Sequence, residues 1–299
     1  MIVADVLRIL EDTAIGILLL LVVYVPLERA FPARKQRFFR REFVTDIGFL
    51  LGSYLLFTGL VTLALRHVAI ISHAQLGDAP WRQALATLPI WVLLPVSLML
   101  GDLAIYWFHR ACHHYEFLWR FHRVHHTTVD LDWLAAHREH PLDGLCTQFF
   151  LNLPAIVIGL PFHAIGGVIV FRGIWAIFIH SNVALPLGPL RVLFGAPDLH
   201  HWHHANVEKT AHNFANLAPY WDVLFGTYHR PPSPETYPLG VPDGQPESYV
   251  KHLVRPLTGP AARVWGMRLQ RGARNSVAAS SSGAGRSQVA EAARTVADH

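Results

Sequence analysis

Eight histidines in three short clusters are the residues of this sequence whose type and spacing could do chemistry. They are His109 and His113, then His122, His125 and His126, then His200, His203 and His204. Residues three or four apart share one face of an α-helix, so we expect each cluster to present its imidazoles on one side. Eight imidazoles exceed what one tetrahedral or octahedral ion accepts. The spacing therefore predicts a buried site for two metal ions.

Carboxylates near these clusters are candidates to support the ligands. A metal-bound histidine normally donates its other ring N–H to a carboxylate or a carbonyl group. Asp102 precedes His109 by two helical turns, and Asp198 lies two residues before His200, so we expect both to play this part. The string HREH at residues 137–140 differs from the zinc-protease motif HExxH and excludes that class.

The apolar composition predicts an integral membrane protein. Hydrophobic residues make up 52% of the 299 residues, and the mean hydropathy is +0.28. Apolar runs cover residues 14–28, 44–65 and 86–108, and a longer run covers residues 145–180. Pro154, Pro161 and Gly166 with Gly167 interrupt the longer run, which predicts a hairpin of two helices. We expect an all-α membrane bundle with a helical cap that carries the histidine site.

The distribution of charge predicts which side of the membrane carries the site. Five cations lie between the first two apolar runs, Arg34, Lys35, Arg37, Arg40 and Arg41. The loop between the second and third runs has only Arg66 and Arg82. Under the positive-inside rule the first loop is cytoplasmic. Counting the spans onward places all three histidine clusters on that same face. The sequence contains no nucleic-acid-binding motif.

The apolar runs and the histidine clusters predict four regions along the chain. Residues 1–95 are predicted to be N-terminal transmembrane helices, and residues 96–232 a catalytic region that includes the membrane hairpin at 145–180. Residues 233–269 form a C-terminal extension. Residues 270–299, rich in Ala, Ser, Gly and Arg, are predicted to be disordered. The two cysteines, Cys112 and Cys146, give no disulfide framework, and Cys112 is interpreted as a packing residue.

The histidine pattern resembles the fatty acid hydroxylase and sterol desaturase superfamily of membrane di-iron oxygenases. The resemblance lies in HxxxH at His109 and in HxxHH at His122 and again at His200. Supporting strings are YWFHR at 106–110, HPLD at 140–143, HSN at 180–182, Asn213 and WDVLFGT at 221–227. It covers roughly residues 95–230. The motifs are specific for the superfamily but not for its substrates.

The resemblance implies a set of nine ligands, in which His180 joins the eight clustered histidines. Ala176 stands where the family often has a further histidine, which leaves a tenth ligand open. Asp143 replaces the family's usual glutamate after the His-Pro pair, and it and His140 are expected to support the ligands. Asn213 is expected either to hydrogen-bond a ligand or to cap a turn. His201 is not expected to bind metal.

The resemblance also implies the cofactors and partners. We expect two iron ions, with zinc as an alternative occupant of the isolated protein, and O2 as co-substrate. No GxGxxG motif or CxxC cluster is present, so electrons must come from an external NAD(P)H-dependent reductase with a ferredoxin or cytochrome-type carrier. Four basic residues are candidates to meet this carrier on the cytoplasmic face: Arg120, Arg123, Arg138 and Arg230.

The expected activity is O2-dependent hydroxylation of a C–H bond in a lipid, such as a sterol or a fatty acyl chain. A desaturase or an ether-lipid monooxygenase on the same scaffold is the first alternative. The second alternative is a membrane protein that handles or senses metal without catalysis. It requires a transport path, which the absence of an ionisable series within the predicted spans disfavours.

Overall fold

Helices make up most of the computed structural model, which describes residues 2–207, 211–242 and 244–258. Within these ranges there is no β-strand, so the prediction of an all-α fold is confirmed. The predicted tail at 270–299 and residues 259–269 of the extension lie outside the described residues. The helices are α1 Ile2–Ala30, α2 Phe43–Gly52, α3 Thr58–Leu76, α4 Pro80–Ala86, α5 Ile90–Cys112, α6 Glu116–His126, α7 Pro141–Ile158, α8 Phe162–His180, α9 Pro197–His203, α10 Tyr220–Leu224 and α11 Tyr249–Thr258.

Five helical segments are long and apolar enough to cross a membrane. They are Leu10–Ala30 of α1, Phe43–Leu76, α5, α7 and α8. The second segment joins α2 to α3 through one π-helical turn at Ser53–Phe57. Leu18, Leu19 and Val22 of α1 remain 59%, 60% and 62% exposed, as expected for side chains that face lipid. The chain is a multi-pass integral membrane protein.

The predicted hairpin at 145–180 is present as α7 and α8. Gly159 ends α7 in the left-handed region, with φ of 92°, where a side chain would be strained. Pro161 then precedes α8. The breaks expected at Pro154 and at the Gly166–Gly167 pair are wrong, because these residues lie inside the two helices. Proline inside a helix is tolerated in membrane segments when neighbouring groups satisfy the freed carbonyl.

Apolar packing holds α5 and α8 in one bundle with their neighbours. Leu65, Leu93 and Ile165 belong to a buried cluster that joins α3, α5, α7 and α8. A second buried cluster, which includes Trp133, joins α1, α2 and α8 to the 133–134 segment. Gly101 has no side chain, which lets α5 approach the carbonyl of Leu151 on α7. The C-terminal ends of α5 and α8 are therefore fixed relative to each other.

The segments that follow α5 and α8 form a cap at one end of the bundle. Residues 113–140 follow α5, and residues 181–258 follow α8. The 31–42 loop between the first two spans lies at the same end, since Arg34 N donates to Asn182 Oδ1 at 2.9 Å. Two isolated β-bridges, Pro32 with Val183 and Ala205 with Leu239, also connect these segments.

A buried network of ion pairs ties the 31–42 loop and α2 to the cap. Arg40 pairs with Asp46 at 2.7 Å and with Asp132 at 2.6 Å. Arg138 pairs with Asp46 at 2.6 Å and with Glu42 at 3.1 Å. Buried charges are stable only when they are paired, so these partners fix one another's positions. The network anchors the 132–138 segment, which follows α6 after five residues.

Candidate metal centre

The predicted histidines lie at helix ends, where the membrane bundle meets the cap. α5 brings His109 in its last turn and His113 at its C-cap, and α8 ends at His180. The other histidines lie in the last turns of α6, along α9 and at the C-cap of α9. All of these side chains except that of His125 are buried, and His125 is partly buried.

Nine histidines form two adjoining groups, and within each group one ring nitrogen per residue lies within 4.8 Å of the others. The five-histidine group contains His109, His113, His122, His126 and His203. The four-histidine group contains His125, His180, His200 and His204. The groups touch where the rings of His126 and His204 stack with centroids 4.3 Å apart. The structure thus brings together the side chains that the sequence singled out.

These groups cut across the sequence clusters. His125 and His126 are consecutive, yet they belong to different groups, and the same holds for His203 and His204. Consecutive residues of a helix point about 100° apart, so α6 and α9 each serve both groups. Each HxxHH cluster still presents its imidazoles on one side, toward the joint site, but divides them between the two groups.

Hydrogen bonds at Nδ1 orient five of the rings. Main-chain carbonyl oxygens accept from His109 (Phe214 O, 2.8 Å), His125 (Arg138 O, 3.0 Å), His180 (Ala176 O, 2.6 Å) and His203 (His212 O, 2.8 Å), and Asp143 Oδ2 lies 2.9 Å from His122 Nδ1. A carbonyl oxygen cannot donate, so this network assigns the hydrogen to Nδ1 of the first four rings. Their Nε2 atoms keep the lone pair that a metal ion needs.

Several of these Nε2 atoms cannot be satisfied by hydrogen bonds within the described residues. His125 Nε2 and His180 Nε2 lie 3.0 Å apart, although both are acceptors when Nδ1 carries the hydrogen. The buried Nε2 atoms of His109 and His203 have no hydrogen-bond partner. Buried polar atoms are nearly always paired, and two facing lone pairs repel. A cation bound by these nitrogens would satisfy both arrangements, so the donor set fits transition metals.

Burial keeps the imidazoles of the cap neutral. Desolvation lowers the pKa of His122 to about 3. Desolvation is the main cause that holds the pKa of His125 and of His204 well below the ordinary value for histidine, and the neighbouring imidazoles are the second. Protonated rings cannot bind a metal, whereas neutral rings can. The site is therefore prepared to bind cations at neutral pH.

Among the predicted supporting residues, Asp143 is the one that hydrogen-bonds a histidine of either group. Its second oxygen, Oδ1, lies 3.9 Å from Cys112 Sγ. Cys112, His122 and Asp143 also bring three ligand-type atoms within 4.8 Å of one another. The shorter acid that replaces the family's glutamate thus still reaches the site.

Asp102 has a different role from the predicted one. Seven residues of helix span about 10 Å along the axis, too far for Asp102 to reach the His109 ring by a hydrogen bond. Its carboxylate instead pairs with Arg172 at 2.6 Å and accepts from the backbone N–H groups of Leu217 and Ala218. Asp102 therefore holds the 211–218 segment, whose Phe214 carbonyl accepts from His109.

Three other predicted supporting residues do not hydrogen-bond the groups. Asp198 pairs with Arg191 and accepts from Leu199 N, because two helical positions place it about 200° away from His200. His140 caps α7 by accepting from Leu142 N. Asn213 adopts a left-handed φ of 57°, and its Nδ2 donates to the carbonyls of Leu199 and His229. Of its two predicted roles, it therefore has the one in a turn.

His201, which the resemblance excludes as a ligand, lies outside both groups. Its Nδ1 contacts Glu235 at 2.9 Å, and its Nε2 contacts the carbonyl of Ser181 at 3.1 Å. The ring thus connects α9 to the end of α8 instead of pointing its nitrogens to the site.

Sequence reasoning missed the main-chain acceptors and Asp222, the residue that holds one of them. Asp222 accepts from Phe214 N at 2.8 Å and from Ala215 N at 2.9 Å, and so positions the carbonyl that orients His109. Every residue has a carbonyl, so no residue type identifies an acceptor. The WDVLFGT string contains Asp222 and was the only available signal.

The four basic residues expected to meet an electron carrier differ in exposure. Arg138 is fully buried in its ion pairs, and Arg123 is 8% exposed. Arg120 is partly buried and Arg230 is exposed. Arg138 is therefore wrong as a docking residue, because its charge is needed inside the cap.

The fold and site together define a helical, multi-span membrane protein with paired histidine groups. Residues 94–227 match the family model described as fatty acid hydroxylase. This match covers 134 of the 299 residues and confirms the resemblance seen in the sequence. The matched residues include all nine histidines of the two groups.

Curated relatives show the same similarity. Ornithine lipid hydroxylase OlsE of Rhizobium tropici is 31% identical over 57% of this chain and 52% of its own length. The alkylglycerol monooxygenase of Homo sapiens is 29% identical over 55% of this chain and 34% of its own length. Delta(7)-sterol 5(6)-desaturase erg3B of Aspergillus fumigatus is 26% identical, over 65% and 56%. The chain spans about half or less of these relatives. No solved structure matches it significantly.

Proposed function

We propose that this protein is a membrane-bound di-iron oxidoreductase that uses O2 to hydroxylate a C–H bond of a lipid. The observation that carries the proposal is the convergence of nine neutral histidines in two groups at the membrane end of the cap. We assign the reaction to the region 96–232, which contains these groups. The relatives support the reaction class, because their names describe lipid hydroxylation, ether-lipid oxidation and sterol desaturation.

The two histidine groups would each hold one metal ion. Iron, when bound, supplies the redox chemistry that O2 reduction requires and that zinc lacks. The protein's own residues hold the imidazoles neutral and orient them: carbonyls of Phe214, Arg138 and His212 accept from Nδ1 of three ligands, and Asp143 contacts a fourth. Burial excludes water from the ligands, which protects the site from side reactions.

The reaction requires an external source of electrons. Conversion of C–H and O2 into C–OH and water consumes two electrons and two protons. The described residues form no nucleotide-binding βαβ unit, in keeping with the absence of a strand. A ferredoxin or cytochrome-type carrier with an NAD(P)H-dependent reductase would supply them. Arg230 is exposed on the cap and fits an acidic carrier.

The site would face the cytoplasm. The cations of the 31–42 loop favour that side under the positive-inside rule, and the loop lies at the cap end with the histidines. A lipid substrate follows from this position, because an apolar chain can reach the ends of α5 and α8 from the bilayer. Unlike metal transport, this activity requires no path for an ion across the membrane.

Lipid mass spectrometry under 18O2 tests the proposal. Cells with and without the gene are compared with cells that express His125→Ala together with His203→Ala, one ligand from each group. We expect a lipid that carries one 18O atom as a hydroxyl only where the native protein is made. His163→Ala, which changes an exposed histidine outside both groups, is the matched control and should retain the product.

The same experiment separates the alternatives. A lipid that loses two hydrogens without gaining 18O would identify a desaturase, and cleavage of an ether lipid would identify a monooxygenase of the alkylglycerol type. The similarity to an alkylglycerol monooxygenase and to a sterol desaturase favours these two reactions as the second candidate function. Unchanged lipids, together with metal that exchanges freely from the purified protein, would contradict an enzymatic role.

A further inference from the structure

A pocket of about 310 Å³ lies between the end of α1, the 31–42 loop and the cap, apart from the histidine groups. Its volume is at the lower end of the range for small-molecule sites, about 300–1,000 Å³. Four cations line it: Arg29, Arg34, Lys35 and Arg37. The histidine site does not use this pocket, and none of the nine histidines lines it.

The positive charge of the pocket is not balanced by its two acids. Glu28 accepts from the backbone N–H groups of Trp133 and Asn182, and Asp132 is paired with Arg40. In the described residues, no carboxylate forms an ion pair with Arg29, Lys35 or Arg37 (Arg29 lies 5.5 Å from the Phe38 ring instead). The pocket therefore has an excess of positive charge available to a ligand.

One wall of the pocket continues into the lipid-facing surface of α1. Val22, Val25 and Arg29 are spaced by three and four residues, so they share one face of the helix. Val22 is 62% exposed within the apolar span, Val25 lines the pocket and Arg29 stands at the end of the helix. An apolar chain on this face would place its polar end at Arg29.

The basic loop is held rigidly against the cap. Asn182 Oδ1 accepts from Arg34 N, and Asn182 Nδ2 donates to Arg34 O, both at 2.9 Å. Arg34 Nε donates to Glu235 at 3.1 Å, while its Nη2 is buried without a hydrogen-bond partner. Arg34 is therefore in place before a ligand binds and loses little conformational entropy, which favours a specific site over a diffuse basic surface.

We propose that this pocket binds the anionic headgroup of a membrane lipid, through a phosphate or carboxylate group. The cations recognise the anion, and the apolar face of α1 accommodates the chain. Basic pockets between transmembrane helices at the membrane surface have this type of specificity. A free anion would use the cations but not the apolar face. The proposal concerns binding alone and does not depend on the reaction at the histidine groups.

Native mass spectrometry of the full-length protein in a neutral detergent tests this site. The probes are dioleoyl phosphatidylglycerol, dioleoyl phosphatidylcholine and inorganic phosphate. We expect one molecule of phosphatidylglycerol to bind per chain, more tightly than phosphatidylcholine, whose choline group cancels the charge. Inorganic phosphate at the same concentration should not displace it.

Paired charge removals locate the binding. Lys35→Gln with Arg37→Gln removes two exposed pocket cations and should weaken phosphatidylglycerol binding about 30-fold. Arg41→Gln with Lys251→Gln removes two exposed cations that do not line the pocket, and should change binding by less than about twofold. Equal effects of the two pairs would overturn the proposal. Displacement of the lipid by equimolar phosphate would also overturn it, because the ligand would then be a free anion.

Discussion

The two histidine groups differ in how closely their ring nitrogens approach one another. In the four-histidine group, Nε2 of His200 lies 2.8 Å from Nε2 of His180 and 3.1 Å from Nε2 of His204. In the five-histidine group, Nε2 of His122 lies 3.2 Å from Nε2 of His126, whereas the buried Nε2 atoms of His109 and His203 have no hydrogen-bond partner. With the His125–His180 contact at 3.0 Å, the four-histidine group has three such close Nε2 contacts against one in the five-histidine group, and it has one fewer imidazole to share a cation.

The outer partners of the groups differ as well. Asp143 gives the five-histidine group a carboxylate at His122, in addition to main-chain carbonyls. The four-histidine group has the carbonyls of Arg138 and Ala176 at this position. A carboxylate compensates the charge of a bound cation better than a carbonyl dipole does. We therefore expect the four-histidine group to lose its metal ion more readily when a ligand or a supporting contact is removed.

Removal of one ligand from each group should have the largest effect. We expect His200→Ala and His113→Ala each to lower 18O incorporation more than about 100-fold, because both ions are needed. Metal content should separate the groups: about one ion per chain is lost in His200→Ala, whereas His113→Ala keeps a weakened ion on four remaining histidines. Elemental analysis by plasma mass spectrometry measures this. Equal metal content in the two variants would contradict the proposed difference.

Loss of the Arg138 guanidinium should destabilise the cap near the four-histidine group. Arg138→Met leaves the buried Glu42 and one side of Asp46 without their partner, which costs about 3–5 kcal/mol. The carbonyl that orients His125 moves with this segment. We expect a lower melting temperature in detergent and a loss of metal chiefly from the four-histidine group. Arg230→Met, at an exposed position, serves as the control and should melt like the native protein.

Acid should destabilise the metal-free protein. The pKa of His122 is about 3 in the folded chain, against about 6.5 when unfolded, so the unfolded state binds more protons between these values. Stability is therefore full above pH 6.5 and is lost as the pH falls toward 3. His122 alone accounts for ~2 kcal/mol at pH 5. Thermal melts of chelator-treated protein at pH 7 and pH 5 measure the loss, and identical melts would show that these rings are not buried and neutral.

Removal of the Asp143 charge should have the smallest effect and should be confined to one group. Asp143→Asn keeps an oxygen that can accept from His122, so we expect metal affinity of the five-histidine group to fall about 10-fold. Asp198→Asn is the matched control, because Asp198 contacts Arg191 and no histidine of the groups. A chelator competition assay compares them. If Asp198→Asn weakened metal binding as much, the effect would not depend on contact with a ligand.

The ligands were predictable from the sequence because histidine is a common metal ligand and helical spacing is fixed. His109 and His113, one turn apart, needed no other information. His180 has no such neighbour, since position 176 is alanine, and only the resemblance to the family indicated it. The division into two groups was not predictable, because it depends on how α6 and α9 are rotated against α5 and α8.

The supporting residues were harder to predict because their spacing along the chain does not give their direction. Asp102 and Asp198 stood near ligands in sequence, but the helix places one about 10 Å away along the axis and the other on a different face. Hairpin breaks at Pro154 and Gly166 failed for a related reason. Residues that break helices in water remain helical when the surrounding bundle satisfies the backbone.

The main-chain carbonyls that orient four of the ligands make the centre depend on the path of the backbone instead of on side-chain identity. Substitution at His212, for example, leaves its carbonyl in place, so a scan by alanine would pass over the acceptor of His203. Deletion of one residue within 211–218 would displace the acceptors of His109 and His203 at once. Engineering of this protein should therefore treat loop length there as fixed and side-chain chemistry as adjustable.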